Sequence, residues 1–134
     1  MYPLTFFTDN LAEGQGGVAN GPIIRIRLKY KDDQGIYQHE LTHVKQWFAT
    51  LTLHSLLYLW RPYRLWSEAQ AYTKQMLYLD RNGARLLLDG AAARLAGKSY
   101  DLGITVDEAK VILEKAGLNV FFSSETLRKF LSVI

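Results

Sequence analysis

Seven apolar side chains, Ile36, Tyr37, Leu41, Val44, Trp47, Phe48 and Leu51, recur at helical spacing, with His39, Glu40 and His43 set among them. A stretch patterned in this way predicts a helix with one broad face that must pack against something. The polar residues are ordered too. His39-Glu40-Leu41-Thr42-His43 puts two imidazoles four positions apart on one helix face, with a carboxylate beside the first. Neutral imidazole binds Zn²⁺ at about 2.0–2.1 Å, and a carboxylate next to an open coordination position can take a proton from water. The spacing therefore predicts a metal-binding helix with His39 and His43 as ligands and Glu40 as general base. The plainer alternative, three polar residues sharing a solvated face, fits less well with a helix whose apolar side is so wide.

A catalytic zinc of this kind needs three protein ligands and one open position. Ala49 stands where the third histidine of HExxHxxGxxH would fall and Gln46 where its glycine would, which excludes that pattern. His54 is not expected to coordinate. Glu68, in Trp66-Ser67-Glu68-Ala69-Gln70-Ala71-Tyr72, is the stronger candidate and would complete a His₂Glu set. Chain geometry limits how Glu68 gets there. A motif helix continued to Leu59 would carry the chain about 24 Å past His43, and a helical return from Trp60 to Glu68 would recover only about 12 Å. Either the motif helix ends near Thr50 and Thr52, or Trp60-Arg61-Pro62-Tyr63-Arg64 returns extended, an option Pro62 favours by biasing Arg61 away from helix. Ser67 is then the expected cap of the glutamate helix.

This combination resembles the gluzincins, zinc peptidases that join HExxH to a glutamate on a following helix, often beside small residues, as Glu68 stands beside Ala69 and Ala71. The small size and single motif further resemble the minigluzincins of the same clan, over residues 22–79. The resemblance implies an α+β, mostly helical, zincin-like fold: a small N-terminal β-sheet, then the motif helix, the glutamate helix and C-terminal helices. It implies Zn²⁺ held by His39, His43 and Glu68, Glu40 as general base, and hydrolysis of a peptide or protein substrate. Thermolysin-like members carry an aspartate four residues after the ligand glutamate to orient a ligand histidine, whereas this chain has Tyr72. Tyr72, one turn beyond Glu68 on the same face, is instead the preferred oxyanion donor, ahead of Tyr63, Arg64 and His54. The minigluzincins also suggest latency, with part of residues 99–134 covering the cleft, either Leu118-Asn119-Val120-Phe121-Phe122 or the terminal helix.

With 134 residues the chain is expected to form a single domain, 1–134, with a helical extension from about residue 99. There is no cysteine, so a disulfide scaffold, a Cys-ligated metal site and a thiol nucleophile are all excluded. The net charge of +3 is mild and its basic residues are scattered, so no nucleic-acid partner is expected. Neither a secretory signal nor a span of roughly 20 apolar residues is present, which makes a cytoplasmic location the default and a membrane partner unexpected.

The remaining elements follow from local patterns. Residues 3–7 read as a short strand, and Gly14, Gly16, Gly17 and Gly21 as a loop without the Gly-Lys-Ser/Thr of a phosphate-binding turn. Residues 23–30 alternate cleanly, with Arg25, Arg27 and Lys29 on one face. They predict an edge strand beside the motif helix, able to pair with an extended peptide or merely protected by its cations. Asn82-Gly83 is expected to break the chain before a helix over 84–96. Thr105-Val106-Asp107-Glu108 is a capping box for a helix ending at Gly117, and 124–133 forms the last helix. The rival readings are a helical binding module built on these last two helices, which fit a helix-turn-helix poorly, and a zincin-like binding protein without activity.

Overall fold

The computed structural model describes residues 3–123, with side chains described through residue 117. The architecture is α+β and mostly helical: a three-stranded sheet followed by five helices. Strands β1 (Leu4–Phe7), β2 (Gly17–Asn20) and β3 (Ile23–Ile26) are ordered β1-β3-β2, with β1 parallel and β2 antiparallel to β3. The strand expected over 23–30 is thus shorter, and it lies in the centre of the sheet rather than at its edge. Ile24 and Ile26 are fully buried, but Leu28 is exposed and a 3-10 turn, Leu28–Tyr30, ends the alternation. The cations are not a free row. Arg27 reaches back to the main-chain carbonyls of Asp9, Ala12 and Gln15, Arg25 bonds Asn20, and Lys29 lies over the Tyr30 ring. The edge strand facing the helices is β2.

Helix α1 (Gln34–Ala49) starts with Asp33 accepting from the Ile36 N–H, which satisfies one of the unpaired donors of the first turn. It stops at Thr50, whose hydroxyl bonds the Gln46 carbonyl. Leu51 and Thr52 then adopt left-handed φ of 51° and 71°, and their N–H groups return to the Phe48 and Trp47 carbonyls. This is a Schellman turn built without glycine. Of the two routes back to Glu68, the chain takes the early stop. A single turn, α2 (His54–Leu57), leads to α3 (Arg61–Met76), which is helical from Arg61. Pro62 sits in its first turn, where a missing N–H costs nothing, and so does not hold the segment extended. Ser67 is consequently no cap: it is buried in the middle of α3.

Helix α4 (Arg81–Leu95) begins earlier than expected, because Asp80 caps it by accepting from the Gly83 N–H, so Asn82-Gly83 opens the helix instead of breaking the chain. Helix α5 (Val106–Ser123) opens as its capping residue predicts, with the Thr105 hydroxyl accepting from the Glu108 N–H. It continues through Gly117, which does not take the positive φ of a helix stop and packs near Thr73 of α3. The expected helix over 124–133 and the side chains of 118–122 lie outside the described residues, and so does any cover they give a cleft. Among the described residues no helix is long and apolar enough to cross a membrane.

Two apolar clusters build the core. Ile24, Ile26 and Val44 join the sheet to α1, and Ala69, Tyr72, Ala91, Ala92, Leu95, Ala109 and Leu113 join α3, α4 and α5. Between them, α1 and α3 meet along a polar seam of His39, His43, Gln46, Ser67 and Glu68, all buried. Such a seam is tolerable only if its groups satisfy one another.

Candidate metal centre

The seam brings His39, His43 and Glu68 together. His39 and His43 project from one face of α1, and Glu68 projects from the facing turn of α3. The Nε2 atoms of His39 and His43 stand 3.6 Å and 3.4 Å from Glu68 Oε2 and Oε1. One ligand atom from each residue lies within 4.8 Å of the others, so the three could hold a metal ion. Glu68 Oε2 is buried without a hydrogen-bond partner among the described residues, an orphaned acceptor that a cation would satisfy.

The outer nitrogens are already occupied. His39 Nδ1 lies 3.0 Å from Gln75 Oε1, and His43 Nδ1 lies 3.0 Å from Gln46 Oε1 and 3.1 Å from Ser67 Oγ. A carboxamide oxygen only accepts, so each Nδ1 donates and each Nε2 faces Glu68. Gln46 is itself fixed: it accepts from the Ser67 hydroxyl at 2.6 Å, and its amide donates to the Ser67 carbonyl and to Gln70 Oε1. Ser67, expected as a cap, thus helps to hold His43 in place.

Charge follows from this geometry. Burial alone would raise the Glu68 carboxyl, but the imidazoles of His39 and His43 beside it hold it well below the usual carboxylate range. Burial opposes protonation of His43, yet Glu68 and Glu40 raise its pKa from the usual 6.5 to about 9. In the ion-free protein a proton on His43 therefore does part of a cation's work. Glu40 is buried beside the cluster and does not join it. Burial pushes its carboxyl up, against the pull of His39 and His43. Strand β2 lies directly over it: the Ala19 backbone draws its pKa down a little, and a Cβ at Gly17 would come within 3.1 Å of Glu40 Cγ and Oε1.

The hydroxyls nearby differ in aim. Tyr58, which sequence reasoning missed, donates to Glu68 Oε1 at 2.7 Å, and Arg64 steadies its turn by donating to the Tyr58 carbonyl. Tyr72 meets His39 with its ring, edge-on at 4.5 Å between centroids, while its hydroxyl is 3.1 Å from that of Tyr100. His54 bonds Tyr63 at 2.8 Å and stays outside the ligand group, its pKa lowered by burial and by His43. His39, Glu40, His43 and Glu68 all line one cleft, together with residues of β2, α2, Tyr72 and Arg94. Gln46 and Gln75 are findable in principle. Gln46 lies three residues after His43, and Gln75 lies two turns after Glu68 on the same face.

Among known proteins, the chain matches no protein-family model, no curated sequence and no solved structure. Its function is therefore read from the chemistry of the site.

Proposed function

We propose that the chain is a zinc-dependent peptidase of gluzincin type with a zincin-like fold, its ion held by His39, His43 and Glu68. The observation that carries this reading is the spacing of the inner ligand atoms. One ligand atom from each of His39, His43 and Glu68 lies within 4.8 Å of the other two. Each imidazole already stands 3.4 Å or 3.6 Å from one of the two Glu68 oxygens, near the roughly 3.3–3.4 Å that separates ligands about 2.0–2.1 Å from a tetrahedral zinc. Two nitrogens and one carboxylate oxygen are also the donor set of catalytic rather than structural zinc, with a fourth position left to the cleft. When bound, the ion would acidify water to a pKa of about 7 and polarise a substrate carbonyl.

The other steps belong to the chain. Glu40, buried beside the ligands with its pKa raised, is suited to accept a proton from the attacking water and return it to the leaving amine. The close approach of β2 at Gly17 leaves that carboxylate little room to turn. Strand β2, the edge on the cleft side, is the segment against which an extended peptide would pair. Tyr58 is better aimed than Tyr72 to steady the oxyanion, since its hydroxyl already points to the ligand carboxylate.

Peptide hydrolysis by zinc-loaded wild type and Glu40→Gln tests the reading. The variant should retain its zinc and lose activity by about 10²–10⁴-fold, because an amide of similar size cannot take the proton. Cleavage by Glu40→Gln at the wild-type rate, or none by either protein, would overturn it.

A further inference from the structure

The geometry points to Arg94 as the anchor for a carboxylate of the substrate, one phenol ring away from the metal centre. This rests on the peptidase reading and adds a specificity to it. Arg94, in the last turn of α4, lines the same cleft as His39, His43 and Glu68. Among the described residues no carboxylate lies within ion-pair distance of it; its hydrogen bond goes to the Gly14 carbonyl at 3.4 Å, with the phenols of Tyr72 and Tyr100 nearby. The other guanidinium in the cleft, Arg27, is committed to main-chain carbonyls of residues 9–15. Lys29, a further cation of the cleft, lies over the Tyr30 ring, and of the two guanidinium groups there Arg94 is the one with planar donors to spare.

Tyr72 joins the two regions. Its ring packs on His39, its hydroxyl meets that of Tyr100, and both tyrosines line the cleft with Arg94 and the ligand cluster. A planar guanidinium offers a carboxylate two parallel N–H donors, and the tyrosine hydroxyl supplies a third. The carboxylate can be the C-terminus of a short peptide, which makes the enzyme an exopeptidase, or an Asp or Glu side chain, which makes it an acid-selective endopeptidase.

Four peptides of one parent sequence separate these sources: free or amidated at the C-terminus, each with Glu or Ala two positions beyond the scissile bond. KM, kcat and zinc content are measured for wild type, Arg94→Gln and Arg94→Lys. The same peptides are titrated calorimetrically into zinc-loaded Glu40→Gln, with and without Arg94→Gln, which reads binding without turnover. Arg94→Gln should raise KM and Kd about tenfold for carboxylate-bearing peptides only, with kcat and zinc content unchanged, and Arg94→Lys should recover part of the loss. The peptide pair affected identifies the source. An equal loss for all four peptides with a lowered Tm would reduce Arg94 to a clamp on the Gly14 loop and overturn the inference, as would no change at all. If wild type cleaves none of the peptides the peptidase reading fails separately, and the titration still decides for or against Arg94.

Discussion

The Gln75 carboxamide stands 3.0 Å from His39 Nδ1, two helical turns beyond Glu68 on the same helix. On the proposed reading it would take the place of the aspartate that follows the ligand glutamate by four residues in the thermolysin-like pattern, a position that Tyr72 occupies in this chain. An amide orients the ring and fixes its tautomer without adding a negative charge. Gln75→Ala should accordingly weaken metal binding by about 10–100-fold while the protein stays folded. Competition with a chelator of known affinity measures this; an unchanged affinity would make the contact incidental.

The two tyrosines beside the ligands should separate by kinetics. Tyr58 aims its hydroxyl at Glu68, whereas Tyr72 turns its hydroxyl toward Tyr100. Tyr58→Phe should lower kcat about a hundredfold, the scale of one lost oxyanion donor, and Tyr72→Phe by much less. Zinc content should stay level in both. The reverse order of kcat would return the oxyanion role to Tyr72.

Metal binding should compete with a proton. His43 rises from 6.5 to about 9 in the ion-free fold, so this contribution to stability is complete below pH 6.5 and disappears as pH climbs through 9. The depressed Glu68 works in the opposite direction, its contribution present above its usual value of 4.5 and lost as pH falls. Chelated protein should therefore melt at lower temperature at pH 9 than at pH 6.5, and binding at pH 7 should release roughly one proton from His43. Calorimetric titration in buffers of different ionisation enthalpy counts that proton. Binding with no proton release at pH 7 would mean that Glu68 does not hold His43 protonated.

Legibility in the sequence tracks how many residues a feature spends. The motif helix carries a periodic apolar face and Glu68 sits among small residues, so both stand out, and so does the Asp107-Glu108 start of α5. Strand β2 has four residues and little alternation, whereas 23–30 alternates well; the weak pattern marks the edge strand and the strong one the buried centre. An early stop near Thr50 is one of two routes that chain geometry leaves open; its form stays hidden because left-handed backbone at Leu51 and Thr52 runs against the preference of both residue types. Asn82-Gly83 misleads for a similar reason, since the cap at Asp80 outweighs the local tendency to turn. Ser67 and Tyr58 are single polar residues whose roles exist only once α1 and the segment 54–76 face each other.

The central claim is that α1 and α3 share one ion. Zinc counted per chain in wild type, His39→Ala, His43→Ala and Glu68→Ala, each purified without chelator and confirmed folded by circular dichroism, tests it most directly. One zinc in wild type, with marked loss in all three variants, is the predicted result. Full occupancy in Glu68→Ala, or a folded wild type that takes up no zinc, would contradict it.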